Sequence, residues 1–278
     1  MNSKLMYLAC LCAFLGFPSC NTLDDIFQEV HGQKTEKDLR QHLFRNYDKL
    51  VRPVKNSNEK ITVSLGISPI HLRDFDEKHQ VIVLETFTRM NWTDDYLKWD
   101  PSRFENLSVL RLPSTEVWRP DIAVYGSPEQ SVMAPVPFTN VLLYNSGTVL
   151  WVPMFTIRSR CPLLKASKKI VTCNIQFGSW TYDENTQDVA LFSDKVDLSD
   201  FVDNNANWKL IDVVSNRVAK YYPCCKEAYP VVNFNVTLMR RSRSELQSNG
   251  VLDEEDVSIN LQDVVPSDFS EADKLLRR

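Results

Sequence analysis

The chain has 278 residues, 43% of them hydrophobic, and a formal net charge of −4 at neutral pH. That is enough apolar material for one globular domain with a real core plus some tail. The weak acidity excludes nucleic acid as a partner, which calls for a concentrated basic face, and with only 7 glycines no Walker or dinucleotide phosphate cradle is present.

In chain order, Lys4 precedes an apolar run from Leu5 to Phe17, closed by Pro18, Ser19 and Cys20. A basic start, a short apolar centre and small residues predict a secretory signal peptide over 1–20. The run is shorter than the roughly 20 residues that span a bilayer. Residues 21–35 read as an N-terminal extension, and a domain is predicted over 36–246. Leu39, Leu43, Phe44 and Leu50 recur at helical spacing between Glu36 and Val51, where Pro53 ends the pattern, so one helix is predicted there.

From Ile61 the texture changes to short strands, with alternation over Ile61–Leu65 and Val81–Phe87. Val141–Tyr144 and Val149–Val152, joined through Gly147, read as a hairpin. Further strands are predicted at Ile170–Phe177, Trp208–Val214 and Val231–Met239. One helix followed by many short, turn-punctuated strands predicts an all-β, immunoglobulin-like sandwich. Past Met239 the run Arg240-Arg241-Ser242-Arg243-Ser244 leads into an acidic stretch, and 247–278 is predicted to be a disordered polar tail. No stretch after residue 20 has the apolar length of a membrane span, so none is expected.

Of 7 cysteines, Cys10, Cys12 and Cys20 fall in the predicted leader, leaving Cys161, Cys173, Cys224 and Cys225. Several connectivities are possible. Pairing both adjacent cysteines with the Cys161/Cys173 segment draws two separate loops onto one point, so Cys161–Cys173 and a vicinal Cys224–Cys225 are expected. A vicinal bridge closes a strained ring, and such strain collects at functional sites. The sequons at Asn91, Asn106 and Asn235 are candidate N-glycosylation sites.

Several phrases then coincide in order: Trp118-Arg119-Pro120-Asp121 leading to Tyr125; the Cys161/Cys173 pair; Gly178-Ser179-Trp180-Thr181-Tyr182; and Tyr222-Pro223-Cys224-Cys225-Lys226-Glu227-Ala228-Tyr229. From about Glu36 to Leu246 the chain resembles the extracellular ligand-binding domain of nicotinic acetylcholine receptors. Val51-Arg52-Pro53-Val54, Asn91-Trp92-Thr93-Asp94, Leu97-Lys98-Trp99 and Leu198-Ser199-Asp200-Phe201 belong to the same likeness. The resemblance implies that Tyr125, Trp180, Tyr222 and Tyr229, capped by Cys224 and Cys225, form the principal ligand-binding face. It implies a complementary face, supplied by a neighbouring subunit, of Phe87, Leu142, Leu150 and Val152. The expected partners are a small cationic ligand of the acetylcholine or nicotine kind and further copies of the chain, five in a ring. No cofactor, metal or catalytic residue is implied.

The chemistry suits such a ligand. A quaternary ammonium ion donates no hydrogen bonds and is best held against aromatic faces, each contributing roughly 0.5–2 kcal/mol. Taken singly, Trp180 and Tyr125 read more readily as core residues than as ligand contacts, and Phe87 reads equally well as either. Tyr222 and Tyr229 do not, because they flank a Cys-Cys loop for which a bare core has no use. Trp92, Trp99, Trp118, Trp151 and Trp208 are expected to pack, and Asp121 to act as a structural hydrogen-bond acceptor.

The sequence also departs from the family. The Cys161/Cys173 loop is shorter than usual and lacks the Phe-Pro-Phe-Asp phrase that touches a channel, carrying Lys165, Lys168 and Lys169 instead. A loop facing water explains that, and predicts a secreted, soluble binding protein without a channel. A lysine and an acidic residue that exchange contacts on closure of the family's Cys-Cys loop are replaced by Gln176 and Val231. Phe87 stands where Trp or Tyr is frequent, which keeps a π face and removes a polar handle. An interaction or scaffold protein with a repurposed pocket is the alternative function these departures suggest. The four histidines offer no Ser-His-Asp or metal constellation, and no enzyme is expected.

Overall fold

A computed structural model describes residues 35–127, 139–163 and 169–242. The predicted leader, most of the extension, Lys165, Lys168 and the C-terminal tail lie outside the described residues. The order of elements is α1 (Glu36–Phe44), β1 (Ile61–Asp76), β2 (Val81–Thr93), β3 (Val109–Pro113), β4 (Ile122–Tyr125), β5 (Asn140–Tyr144), β6 (Thr148–Trp151), β7 (Met154–Arg160), β8 (Ile170–Ser179), β9 (Gln187–Leu191), β10 (Trp208–Lys220) and β11 (Tyr229–Arg240). This is the predicted β-sandwich with one short N-terminal helix. No helix among the described residues is long and apolar enough to cross a membrane.

The chain folds as two compact units. The smaller takes in the chain up to Ile61 with Trp92–Arg119 and Asn140–Trp151. Its helix α1 opens on a capping box: the Thr35 side chain accepts from the Asp38 amide at 3.4 Å, and the Asp38 carboxylate accepts from the Thr35 amide at 2.9 Å. Two otherwise orphaned amides are thereby satisfied. Leu39 and Leu43 are buried, as the helical spacing predicts.

The helix stops at Phe44 instead of running to Val51, and Leu50 is 84% exposed instead of packed. The cause is Tyr47. Its hydroxyl donates to the Asp94 carboxylate at 2.6 Å and accepts from the Trp118 amide at 2.9 Å. Those bonds draw the chain out of helical register, and Leu50 follows it into solvent. Burial pushes the Asp94 carboxyl up to about 6, against the hydrogen bonds from Tyr47 and the Tyr96 and Leu97 amides that favour its charge. Trp92 and Trp118 pack edge to face beside this network, centroids 5.8 Å apart. The predicted hairpin forms in the same unit, with Leu142 opposite Leu150 and Leu143 opposite Val149. Gly147 turns it at φ +87, where any Cβ collides with the Asp94 carbonyl, so both the dihedral and the space require glycine.

The larger unit comprises Thr62–Asn91, Pro120–Thr139 and the chain from Val152. One sheet runs β9-β1-β2-β7 and the other β10-β11-β8-β4. β1 is far longer than the alternating run at its start predicts, because register shifts at Pro69/His71 and Leu72/Asp74 interrupt the alternation without ending the pairing. β8 shows how one strand serves both core and site. Val171, Cys173, Ile175 and Phe177 are buried, while Gln176, Gly178 and, just beyond the strand, Trp180 point to the other face by the period of two. Phe177 meets Phe234 of β11 edge to face at 5.6 Å. Cys173 is disulfide-bonded to Cys161, their Cα atoms 4.7 Å apart, which is the first of the two predicted bridges.

Candidate functional site

The candidate ligand site is built on the second sheet of the larger unit. Tyr125 ends β4, paired with Gln176 of β8, and its ring lies across the neighbouring Gly178. A Cβ on Gly178 would sit 2.7 Å from the Tyr125 hydroxyl oxygen and 2.9 Å from its ring, closer than packed atoms tolerate. Glycine here is the space the tyrosine occupies. The Tyr125 hydroxyl donates to the Ser179 carbonyl. Burial first, then the neighbouring Tyr222, Asp121 and Tyr229, push its phenol up to about 12, so the ring stays neutral near pH 7.

Trp180 packs edge-on against Tyr125, centroids 6.2 Å apart at 68°, yet it is 71% exposed. The other five tryptophans, Trp92, Trp99, Trp118, Trp151 and Trp208, are each 8% exposed or less. Trp180 is thus the one tryptophan of the six whose indole is left largely in water, beside the Tyr125 ring.

Asp121 holds this indole in place. Its carboxylate accepts from the Ser179 hydroxyl at 2.6 Å, the Thr181 amide at 2.8 Å, the Thr181 hydroxyl at 2.6 Å and the Gln187 amide nitrogen at 3.4 Å. Its carbonyl accepts from the Trp180 amide at 3.1 Å. The hydroxyls on both sides of Trp180, the Thr181 amide and the Trp180 amide are thus tied to one residue, in the structural role that the sequence predicts.

The third part is the loop between β10 and β11. Tyr222 and Tyr229 meet edge to face with centroids 5.6 Å apart, and both act on the phenol of Tyr125. The loop tightens through a bond from the Cys225 amide to the Tyr222 carbonyl at 3.1 Å. Cys224 and Cys225 are free thiols, where the sequence predicts a bridge. Instead, hydrogen bonding with Cys225 holds the Cys224 thiol above its usual range, and the Tyr229 hydroxyl points at Cys225 Sγ from 3.9 Å.

The role of Lys220 was not legible in the sequence. Lys220, the last residue of β10, reaches over the site: its Nζ lies 5.8 Å from the Tyr125 ring centroid and donates to Gln176 Oε1 at 2.7 Å. Gln176 in turn donates to Asn233 at 2.8 Å. Val231 is fully buried opposite Gly178, so that position offers no charge. Only the strand register brings Lys220 to Gln176, and no local motif marks it.

The residues expected on a complementary face are described unit by unit. In the smaller unit Leu142 and Leu150 are half-buried cross-strand partners. In the larger, Phe87 is half-buried opposite Met154, and Val152 is exposed. Among the candidate glycosylation sites, Asn106 is exposed in a turn at φ +57, whereas Asn91 and Asn235 are half-buried within strands.

Residues 36–242 match the neurotransmitter-gated ion-channel ligand binding domain. The neuronal acetylcholine receptor subunit alpha-9-I of Oncorhynchus mykiss is 35% identical over 220 residues, covering 78% of this chain and 38% of that protein. The human neuronal acetylcholine receptor subunit alpha-2 is 34% identical over 209 residues, 74% of this chain and 39% of the relative. Acetylcholine receptor subunit alpha-type acr-16 of Caenorhabditis briggsae is 34% identical over 219 residues, 78% and 44% respectively. The chain spans less than half the length of these relatives.

Proposed function

This chain belongs to the neurotransmitter-gated ion-channel ligand-binding domain family, and on that premise we propose that it captures small cationic ligands of the acetylcholine type in an aromatic cage. Trp180, Tyr125, Tyr222 and Tyr229 supply the principal face, and Phe87, Leu142, Leu150 and Val152 of an adjacent copy the complementary one. The copies assemble as a homopentamer, a closed head-to-tail ring in which each interface repeats the site. The protein is secreted and works as a soluble binding protein, similar to acetylcholine-binding protein, without channel activity. The lysine-bearing Cys161/Cys173 loop, lacking the channel-contacting phrase, supports that part. In an oxidising compartment Cys224 and Cys225 close into the vicinal bridge, and Asn106 is the best-exposed glycan acceptor.

The observation that carries the reading is the solvent-exposed Trp180 beside Tyr125. Titration of the purified protein with acetylcholine, followed by intrinsic tryptophan fluorescence, tests it. Saturable quenching is expected, and Trp180→Ala is expected to abolish it while the protein stays folded. The substitution of Gln176 and Val231 for charged residues favours one other reading, a pentameric scaffold with a repurposed pocket. A stable oligomer that gives no response at millimolar ligand would select that alternative.

A further inference from the structure

The cage already contains a cation. The Lys220 ammonium lies over Tyr125 at 5.8 Å and is steered there by its bond to Gln176 Oε1 at 2.7 Å. Among the described residues it has no carboxylate partner. Acidic side chains of the segments around the site have partners of their own: Asp121 holds Ser179, Thr181 and Gln187, Asp183 the Asn185 and Thr186 amides, and Glu184 and Asp188 pair with Arg217. An ammonium carries three donor hydrogens, and Gln176 takes one. Lys220 therefore holds a half-buried positive charge, with donors to spare, at the edge of a site whose rings attract positive charge.

Two consequences follow for a ligand. A bare quaternary ammonium seated on Trp180 and Tyr125 meets repulsion from Lys220 and competes with it for the Tyr125 ring. A ligand that also bears a carboxylate reverses the sign of that interaction, and gains a charge-assisted hydrogen bond. Resting on the cage reading above, we propose that Lys220 is a specificity-determining residue that selects zwitterionic ligands, with the ammonium on Trp180 and the carboxylate on Lys220 Nζ, across the ring of Tyr125. Gln176 is the positioning residue that holds the lysine in place.

A matched pair of probes isolates the carboxylate: γ-trimethylammoniobutyrate and butyltrimethylammonium, which share ammonium and chain. The wild-type protein is expected to bind the zwitterion about tenfold more tightly, the size of one modest charge–charge contact. In Lys220→Gln that preference is expected to vanish, the zwitterion weakening and the simple cation tightening, while Lys220→Arg retains it. A wild-type preference for butyltrimethylammonium, or a ratio unmoved in Lys220→Gln, overturns the role of Lys220 and leaves the cage intact. If neither probe binds wild type or Lys220→Gln, the cage reading fails and this inference with it.

Discussion

Asp121→Ala is expected to lower stability by about 3 kcal/mol and to weaken acetylcholine binding by about tenfold or more. The stability figure follows from charge-assisted hydrogen bonds worth roughly 1.5–3 kcal/mol each, discounted because Asp121 is only half-buried. Removal of its carboxylate leaves the Ser179 and Thr181 hydroxyls and the Thr181 amide without their acceptor. The affinity loss is indirect. Asp121 does not face a ligand; it fixes the backbone from which the Trp180 indole projects, and a displaced ring loses its cation–π geometry. Urea unfolding and fluorescence titration on the same preparation measure both quantities. Asp121→Asn keeps the size and one acceptor, so it is expected to fall between the two. Wild-type affinity in Asp121→Ala would mean that Trp180 is held by something else.

The largest effect on stability is expected from Phe177→Ala. Phe177 is fully buried and packs edge to face against Phe234. Truncation to alanine in a close-packed core costs about 3–5 kcal/mol, the sum of lost transfer energy and a residual cavity. Unfolding is expected at a much lower urea concentration, with an unchanged slope. Because Phe177 points away from the face that carries Gln176, Gly178 and Trp180, affinity of the remaining folded protein is expected to change much less than stability. A loss under about 1 kcal/mol would mean that β8 and β11 are not packed as described.

These two residues also mark what was legible in the sequence. The period-two pattern of β8 marks Val171, Cys173, Ile175 and Phe177 as its core-facing residues, and the hairpin around Gly147 forms as predicted. The sandwich class and the Cys161–Cys173 bridge follow from strand texture and cysteine spacing. The helix beyond Phe44 does not form, because the long-range Tyr47–Asp94 hydrogen bond overrides a periodicity that includes Leu50. Four strands escape detection for different reasons. Ile122–Tyr125 is short and half-buried throughout, Gln187–Leu191 opens on a buried glutamine, and Val109–Pro113 ends on a proline, with Arg111 between its two buried leucines. Met154–Arg160 does alternate, but its Thr, Ser and Arg residues hide the apolar half of the pattern.

The site divides along the same line. Trp180 and the tyrosines stand out through local phrases, since a Cys-Cys loop flanked by tyrosines is rare for any other purpose. Whether Trp180 is core or surface is decided only by its tertiary exposure. The roles of Gly178 and Lys220 lie wholly in the pairing of non-adjacent strands: the first makes room for Tyr125, the second reaches Gln176 from two strands away. Neither has a signature in its own neighbourhood of the chain.

The central claim is that this face recognises positive charge through aromatic rings. The most direct measurement is a pair of calorimetric titrations, with acetylcholine and with its uncharged carbon isostere, dimethylbutyl acetate, which has the same shape and ester. Acetylcholine is expected to bind at least about tenfold more tightly, since cation–π contacts with several rings add more than about 1.4 kcal/mol. Equal affinity for the two, or binding of the isostere alone, would contradict the account, because the rings would then be serving as an apolar surface and not as a cage for a cation.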